Sequence, residues 1–279
     1  MNKDNIRKII IFTIVTLASG WVGVFLDSLL TEQPEGNTLG MGLFLILPLL
    51  TAIILRVVYR DWKDTGIKPH FKGNIKWYLI ALCIYPLVTV ITMGMAIISN
   101  SVALSELEMQ VFIPLAVTSI AGGFIKNIFE EFAWRGYLTP KLIDLKINDW
   151  LIYFISGLIW ALWHAAYYIV FLPDSYFGSI SRGGMLLTGC VLMVCWAVMY
   201  VEIYRLMKSV WPCLLMHTVE DAFPTVLTTG GFIAFTKSGD VWLNPVSGII
   251  ATVLFLGIGF FLRSARIKKE RTAETEEKR

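Results

Sequence analysis

The sequence predicts an all-α, polytopic integral membrane protein with about eight transmembrane helices. Of its 279 residues, 56% are hydrophobic and only 16% are charged, whereas charged residues make up about 25% of a soluble domain. The mean hydropathy is +0.66, and apolar runs of about 20 residues recur along nearly the whole chain, as in helical membrane proteins. Outer-membrane barrels are excluded, because their strands alternate in hydrophobicity over about 10 residues.

Eight apolar segments are long enough to cross a membrane. They cover residues 9–29, 41–58, 77–98, 110–129, 150–171, 185–205, 211–228 and 246–262. The first follows three basic residues, as a signal peptide would, but it has no Ala-x-Ala cleavage site and suits a retained helix better. Without an internal repeat or a soluble domain boundary, the segments predict one integral membrane domain over residues 1–279. The basic segment 263–279 predicts a cytoplasmic tail with a disordered tip.

The charges of the connecting loops alternate along the chain. Basic residues precede the first segment and follow the second, fourth, sixth and eighth segments, whereas the loops around Glu32 and around Glu106 and Glu108 carry no Lys or Arg. Because positively charged loops remain in the cytoplasm, we predict that both termini are cytoplasmic. The same pattern suggests a multi-pass protein of a cell membrane, of bacterial type.

Two adjacent carboxylates follow the fourth apolar segment, where they are costly unless they are used. With residues 129–140 taken as helical, Glu131 and Arg135 are four residues apart on one face, which is the right spacing for an ion pair. Glu130 is rotated from Glu131 by about 100° and therefore points elsewhere. The pattern predicts that Arg135 neutralises Glu131 while Glu130 is available as a base, since different surroundings separate acid and base roles.

Two of the three histidines lie inside other apolar segments. His164 follows Trp160 by four residues, and His217 precedes Asp221 by four, so each pair shares one face of a helix. A carboxylate one turn from an imidazole can orient it, or both groups can line a polar cavity. We expect no other span to carry such polar groups at comparable depth.

His164 raises a geometric difficulty. If the fourth segment ends at residue 129, Glu130 lies near the cytoplasmic edge, and His217, six residues into its span, lies roughly 9 Å deep. His164 lies fourteen residues past Trp150, so roughly 20 Å along its own helix. A straight, upright fifth helix would separate His164 from Glu130. Either this helix is tilted, or it starts above the bilayer, or a boundary differs.

The familiar hydrolase motifs are absent. The chain has no His-Glu-x-x-His of the zinc-helix metalloproteases and no Gly-x-Ser-x-Gly nucleophile elbow. The Gly-x-Ser of rhomboid-type proteases and the paired aspartates of presenilin-like proteases are also missing.

At these residues the chain resembles the CPBP family of intramembrane proteases. That family includes the Rce1-like CAAX prenyl endopeptidases, the bacterial CAAX amino-terminal protease-like proteins and bacteriocin self-immunity proteins. Its three-part pattern is matched in order and spacing by Glu130-Glu131-x-x-x-Arg135, Trp160-x-x-x-His164 and His217-x-x-x-Asp221. The resemblance covers residues 111–224, which we take as the motif-bearing catalytic core.

The resemblance implies two mechanisms, and the sequence leaves both open. In the first, Glu130 activates a water with help from His164, while His217 and residue 221 hold the oxyanion. In the second, Glu130, His164 and His217 bind Zn²⁺ and leave one position for water. The chain departs from the family at Asp221, where Asn is usual. Asp221 is either protonated, so that it donates a hydrogen bond as Asn would, or ionised, so that it orients His217.

The implied function is an intramembrane endopeptidase whose partners are the lipid bilayer and a membrane-associated peptide or protein substrate. Without a folded soluble domain, a nucleic-acid partner is excluded. Two other functions stay open. In a proton-coupled transporter the same Glu and His residues would form a proton relay, although broken spans in matching halves are not evident. A non-catalytic bacteriocin-immunity membrane protein could keep the same motif.

Overall fold

The structure is almost entirely helical. It is a computed structural model that describes residues 3–30, 32–34, 37–105, 109–177 and 180–277. Within these residues, seven helical segments are long and apolar enough to cross a membrane. The prediction of an all-α polytopic membrane protein is therefore confirmed. Glu106 and Glu108, which we assigned to an external loop, lie outside the described residues.

The long helices account for seven of the predicted spans. They are α1 (Lys3–Ser28), α2 (Leu39–Val58), α3 (Ile75–Ile98), α4 (Met109–Ala133), α6 (Asp149–Trp163), α7 (Arg182–Met207) and α11 (Ile249–Glu277). The shorter helices are α5 (Thr139–Asp144), α8 (Trp211–Glu220), α9 (Val226–Thr229) and α10 (Lys237–Leu243). A short antiparallel ribbon pairs β1 (Val102–Leu104) with β2 (Ile233–Phe235), and Asp174–Tyr176 form a 3₁₀ turn.

Wider helical turns interrupt the chain at three places in the described residues. These π-helical turns are π1 (Trp134–Leu138), π2 (Tyr167–Phe171) and π3 (Asp221–Thr225). The eighth predicted span, 211–228, is helical but consists of α8, π3 and α9. Pro224 lies inside π3 and has no N–H for a helical hydrogen bond. The predicted count of about eight is thus close, with seven long spans and one interrupted helix.

The chain divides into two compact units. The first comprises Met1–Thr65 and Ile125–Val194, and the second comprises Gly66–Phe124 and Cys195–Arg279. In the first unit α1 packs on α2 and on α6. The α1 and α2 backbones touch at Gly23, where an added Cβ would collide with the carbonyl oxygen of Gly40. Small residues at such crossings are typical of membrane helices.

Buried charges link the end of α2 to α1 and α5 in the first unit. Lys8 Nζ and Lys141 Nζ lie 2.8 and 2.7 Å from the same carboxylate oxygen of Asp61. Burial alone would raise the pKa of Asp61, but the hydrogen bonds from the two lysines outweigh it and lower that pKa to about 2. Arg56 donates to the carbonyl oxygens of Asp61 and Gly136. These contacts fix the segment that follows α2 against the start of α5.

In the second unit, α3 packs against α8 and α11. Glu202 of α7 is fully buried and accepts from Arg266 Nε at 2.6 Å. The expectation that no other span carries a deep polar group is therefore wrong. The prediction of a disordered tip is also wrong for the residues up to Glu277, because α11 continues to that residue. Its basic stretch contacts α7, where Lys269 donates to the Leu206 carbonyl oxygen.

Candidate active site

The helix that carries the paired carboxylates continues past the end of the predicted fourth span, through residues 129–140, which were expected to be helical. α4 does not end at residue 129 but continues to Ala133, and π1 and α5 extend the helical segment to Asp144. The added residues include Ala133, Trp134 and Leu138, all fully buried. A buried face of this kind favours continuation of the helix into the protein. The predicted boundary at residue 129 is therefore corrected, and Glu130 lies inside the segment rather than at its end.

The predicted pair of Glu131 and Arg135 is present. Arg135 Nη1 donates to Glu131 Oε1 at 3.0 Å, and both side chains are 0% exposed. The guanidinium also lies over the ring of Trp160, 4.2 Å from its centroid. A cation over an indole ring and beside a carboxylate is stabilised by both. The pair therefore keeps a charged carboxylate compensated in the interior.

Glu130 has different contacts from its neighbour. It is 3% exposed, and its Oε2 accepts a hydrogen bond from the indole N–H of Trp160 at 3.2 Å. Its Oε1 lies 3.9 Å from Lys126 Nζ, whose side chain is 39% exposed. The 100° rotation between adjacent helix positions thus directs the two carboxylates to separate partners. A separation of acid and base roles between the two carboxylates stays a prediction.

His164 follows the last residue of α6 and precedes π2. Its Nδ1 lies 2.9 Å from the carbonyl oxygen of Trp160. Because a carbonyl oxygen can only accept, Nδ1 carries the hydrogen, and the lone pair of the neutral ring is at Nε2. The imidazole also stacks on Tyr168, with ring centroids 5.5 Å apart. Nδ1 is thus held by the backbone carbonyl, and the lone pair of Nε2 is of the kind that accepts a proton or binds a metal ion.

The geometric difficulty with His164 is resolved by the hairpin formed by the two helical segments. A four-residue loop, 145–148, joins α5 to α6. Glu130 lies 14 residues before Asp144, and His164 lies 15 residues after Asp149. At about 1.5 Å per residue, both are roughly 20 Å from the loop. The hydrogen bond between Trp160 and Glu130 shows that the two helical segments of the hairpin are in contact at this distance from the loop.

The second unit holds the other two predicted residues. His217 of α8 is 5% exposed, and its ring meets the ring of Tyr200 edge-on, with centroids 6.0 Å apart. The potential ligand atoms of His217, Glu220 and Asp221 all lie within 4.8 Å of one another. Sequence reasoning did not select Glu220, although its spacing of three residues from His217 would have placed both on one helix face. Glu220 is 5% exposed and accepts a 2.5 Å hydrogen bond from the Thr225 hydroxyl.

Asp221 occupies a space that a glycine leaves open. A Cβ placed on Gly123 of α4 would lie 3.0 Å from Asp221 Oδ2 and 3.2 Å from Asp221 Cβ. The same construction on Gly122 meets nothing within 4 Å. Gly123 therefore permits the Asp221 carboxyl group to lie against the α4 backbone.

Each part of the three-part motif adjoins a π-helical turn. Arg135 lies inside π1, His164 comes three residues before π2, and Asp221 is the first residue of π3. These are the three π turns in the described part of the chain. π turns are rare and are often found at functional sites. Apart from Pro224, no pattern in the sequence predicts these turns.

The structure thus forms two clusters. We call Glu130, Glu131, Arg135 and His164 the first cluster and His217, Glu220 and Asp221 the second cluster. The first cluster lies in the first unit, and the second cluster lies in the second unit. A catalytic centre that combines the two clusters stays a prediction.

A comparison with protein families supports the predicted relationship. Residues 112–223 match the model of the type II CAAX prenyl endopeptidase Rce1-like family. Over this segment the chain is similar to Rce1-like proteases. The predicted resemblance is confirmed, and the Rce1-like segment contains every residue of both clusters. The comparison with curated proteins found no match. The family match supports a multi-pass membrane endopeptidase that acts on membrane-associated proteins in a lipid bilayer.

Proposed function

We propose that the protein is an intramembrane endopeptidase in which Glu130 activates water to hydrolyse a peptide bond. The observation that carries the proposal is the surroundings of Glu130. It is buried at 3% exposure, its charge is supported by an indole donor and a lysine, and the adjacent Glu131 is paired with Arg135. His164 lies one helical turn beyond the indole donor, Trp160.

In the proposed reaction, Glu130 takes a proton from a water molecule as the water oxygen bonds to the scissile carbonyl carbon. The carbonyl oxygen becomes the oxyanion of a tetrahedral intermediate. The carbon–nitrogen bond then breaks, and Glu130 returns the proton to the leaving nitrogen. His164 Nε2 accepts a hydrogen bond from the water and orients it. Donors from His217 and residue 221 stabilise the oxyanion, which is usually a large contribution to such catalysis.

The substrates of this reaction are membrane-associated peptides or proteins. A buried base is reached by segments that enter from the bilayer or lie at its surface. We propose hydrophobic peptide segments as substrates, with CAAX-like C-terminal segments as one candidate class. If the protein is bacterial and has no prenylated substrates, we expect it to cleave other membrane peptides.

A zinc-dependent version of the proposal is also testable. Imidazole and carboxylate groups are zinc donors, and His217, Glu220 and Asp221 bring such groups within 4.8 Å of one another in the described residues. A bound ion would supply Lewis-acid polarisation of a carbonyl. This set differs from Glu130, His164 and His217, which stay a prediction. Metal analysis of the purified protein and of Glu220→Gln and His164→Ala variants distinguishes the two sets.

The decisive experiment measures cleavage of a hydrophobic peptide library by the purified protein in proteoliposomes. We expect Glu130→Gln to accumulate as folded protein and to lose at least about 100-fold in rate, the scale of a lost general base. Glu202→Gln is the matched control, because Glu202 is equally buried in a membrane helix but lies outside both clusters. Its rate per folded molecule should be retained. Near-normal turnover in Glu130→Gln would reject the proposal.

A different outcome would favour a rival function. If neither the wild type nor Glu130→Gln cleaves any peptide, and both protect cells from a bacteriocin, the protein is an immunity protein. Proton uptake coupled to solute movement, lost in Glu130→Gln, would favour a transporter.

We further propose that both termini are cytoplasmic and that the loop containing Glu32 is external. The alternation of basic and acidic loops supports this orientation. Single cysteines placed at Glu32 and at Lys68, in a background without the four native cysteines, test it with a membrane-impermeant reagent. Labelling of intact cells at position 32 is expected. Labelling at position 68 alone would show that the orientation is the reverse of the one proposed.

A further inference from the structure

Trp160 contacts three members of the first cluster. Its indole N–H donates to Glu130 Oε2 at 3.2 Å, and its ring lies 4.2 Å from the Arg135 guanidinium. Its backbone carbonyl oxygen accepts from Nδ1 of His164 at 2.9 Å. Trp160 itself is 1% exposed. One buried residue thus lies against the proposed base, the neighbouring cation and the histidine that the proposed mechanism uses.

We infer that Trp160 is a positioning residue that orients the Glu130 carboxylate through its indole N–H. The inference rests on the proposed function, because it assigns Trp160 a task in the reaction of Glu130. Trp160 is not a catalytic residue, since its indole does not need to touch the substrate or the water. Its N–H holds Oε2 in place and so sets the direction in which the carboxylate faces.

The physical argument depends on the indole donor rather than on the size of the ring. An N–H that donates to a carboxylate stabilises its charged form, and the interaction is stronger in a low-dielectric interior. Indole is a donor only and cannot compete with Glu130 as a base. Its fixed ring also loses little conformational freedom, unlike a lysine or arginine side chain. Phenylalanine would keep the ring over Arg135 but would remove the N–H.

A purely packing role is the competing explanation, and Trp163 provides the matched control. Trp163 is also 1% exposed, and its indole N–H donates to Ser19 Oγ at 3.2 Å and to the Phe44 carbonyl oxygen at 3.3 Å. These acceptors are uncharged. Trp163→Phe therefore removes a buried indole donor of the same kind without touching Glu130.

The first test needs no substrate. The protein labelled with ¹⁵N-tryptophan is followed by NMR in nanodiscs across a pH titration. We expect one indole N–H resonance to move as Glu130 titrates and to lose this movement in Glu130→Gln. The same resonance should be absent from Trp160→Phe and present in Trp163→Phe. If no indole resonance moves with pH, or if the movement persists in Glu130→Gln, the inference is wrong.

The second test uses cleavage of the peptide library. In Trp160→Phe we expect kcat to fall roughly 10-fold and the acid limb of the pH–rate profile to move up by about one pH unit, because a donor to the carboxylate is lost. KM should change little. Trp163→Phe should leave the acid limb in place. An unshifted limb in Trp160→Phe overturns the inference while the proposed function stands, whereas normal turnover in Glu130→Gln overturns the proposed function itself.

Discussion

The first and second clusters each contain two carboxyl groups and a histidine, but the partners described for the carboxyl groups differ between them. In the first cluster the partners of the two glutamates include cations, with Arg135 at 3.0 Å from Glu131 and Lys126 at 3.9 Å from Glu130. In the second cluster Glu220 accepts a hydrogen bond from a neutral hydroxyl, and one of its oxygens lies within 4.8 Å of an imidazole nitrogen and of an oxygen of a second carboxyl group.

The difference bears on the protonation of each cluster. A carboxylate beside a cation or an N–H donor keeps its charge in the interior, whereas two carboxyl groups close together favour sharing a proton. The first cluster is therefore suited to an ionised base, and the second is suited to a group that holds a proton and donates it. Variants at Arg135, Gly123 and Asp221 test this comparison.

Arg135→Ala should have the largest effect. It leaves Glu131 buried without its cation, at a cost of roughly 3–5 kcal/mol for a pair of this kind. We expect less accumulated protein, a lower unfolding midpoint and lost activity. Chemical unfolding in detergent, followed by tryptophan fluorescence, measures the change.

The double variant Glu131→Gln, Arg135→Met separates charge from packing. Removing both charges while keeping similar volumes should recover much of the stability, because no isolated charge remains. If Arg135→Ala alone unfolds at the wild-type midpoint, the ion pair does not stabilise the first cluster. The contrast drawn between the two clusters is then wrong for the first cluster.

Gly123→Ala should have a smaller effect, confined to the second cluster. The new methyl group would lie 3.0 Å from Asp221 Oδ2, so the carboxyl group has to move. Small displacements of catalytic groups are costly, and we expect kcat/KM to fall roughly 10-fold. Gly122→Ala, where the methyl group meets nothing within 4 Å, should keep its activity. Equal rates in the two variants would show that the placement of Asp221 is unimportant.

The first cluster was more accessible to sequence reasoning than the second. Glu131 and Arg135 are four residues apart on one helix, so helical spacing alone predicts their contact. Apolar runs likewise predict the long helices, although α6 ends at Trp163 rather than at residue 171 and α11 continues from the predicted end at residue 262 to Glu277. The helical continuation past residue 129 is also predicted, but ending the fourth span there places Glu130 at the edge of the span, although the segment continues through π1 and α5.

Other features depend on contacts between distant parts of the chain. Glu202 and Arg266 are 64 residues apart, and no periodicity indicates that they meet. The contact between Gly123 and Asp221 likewise joins α4 to π3. The π turns add a residue to a helical turn, a local change that hydrophobic spacing does not reveal. These features depend on tertiary packing, which local sequence patterns do not predict.

Asp221→Asn should have the smallest effect at neutral pH and is the sharpest test of the comparison. The 2.5 Å bond from the Thr225 hydroxyl to Glu220 is in the range of hydroxyl donors to charged carboxylates. If Glu220 is ionised, the nearby Asp221 holds the proton and donates it to the oxyanion, as the amide of Asn would. Raising the pH removes this proton from Asp221 but leaves the Asn amide intact. We therefore expect Asp221→Asn to retain activity within about 3-fold at pH 7 and to extend it to higher pH.

The full pH–rate profile is the measurement, with Asp221→Ala as the control that lacks any donor. A profile of Asp221→Asn that is depressed at every pH would mean that Asp221 is ionised and orients His217. The second cluster would then resemble the first, and the contrast between them would not hold.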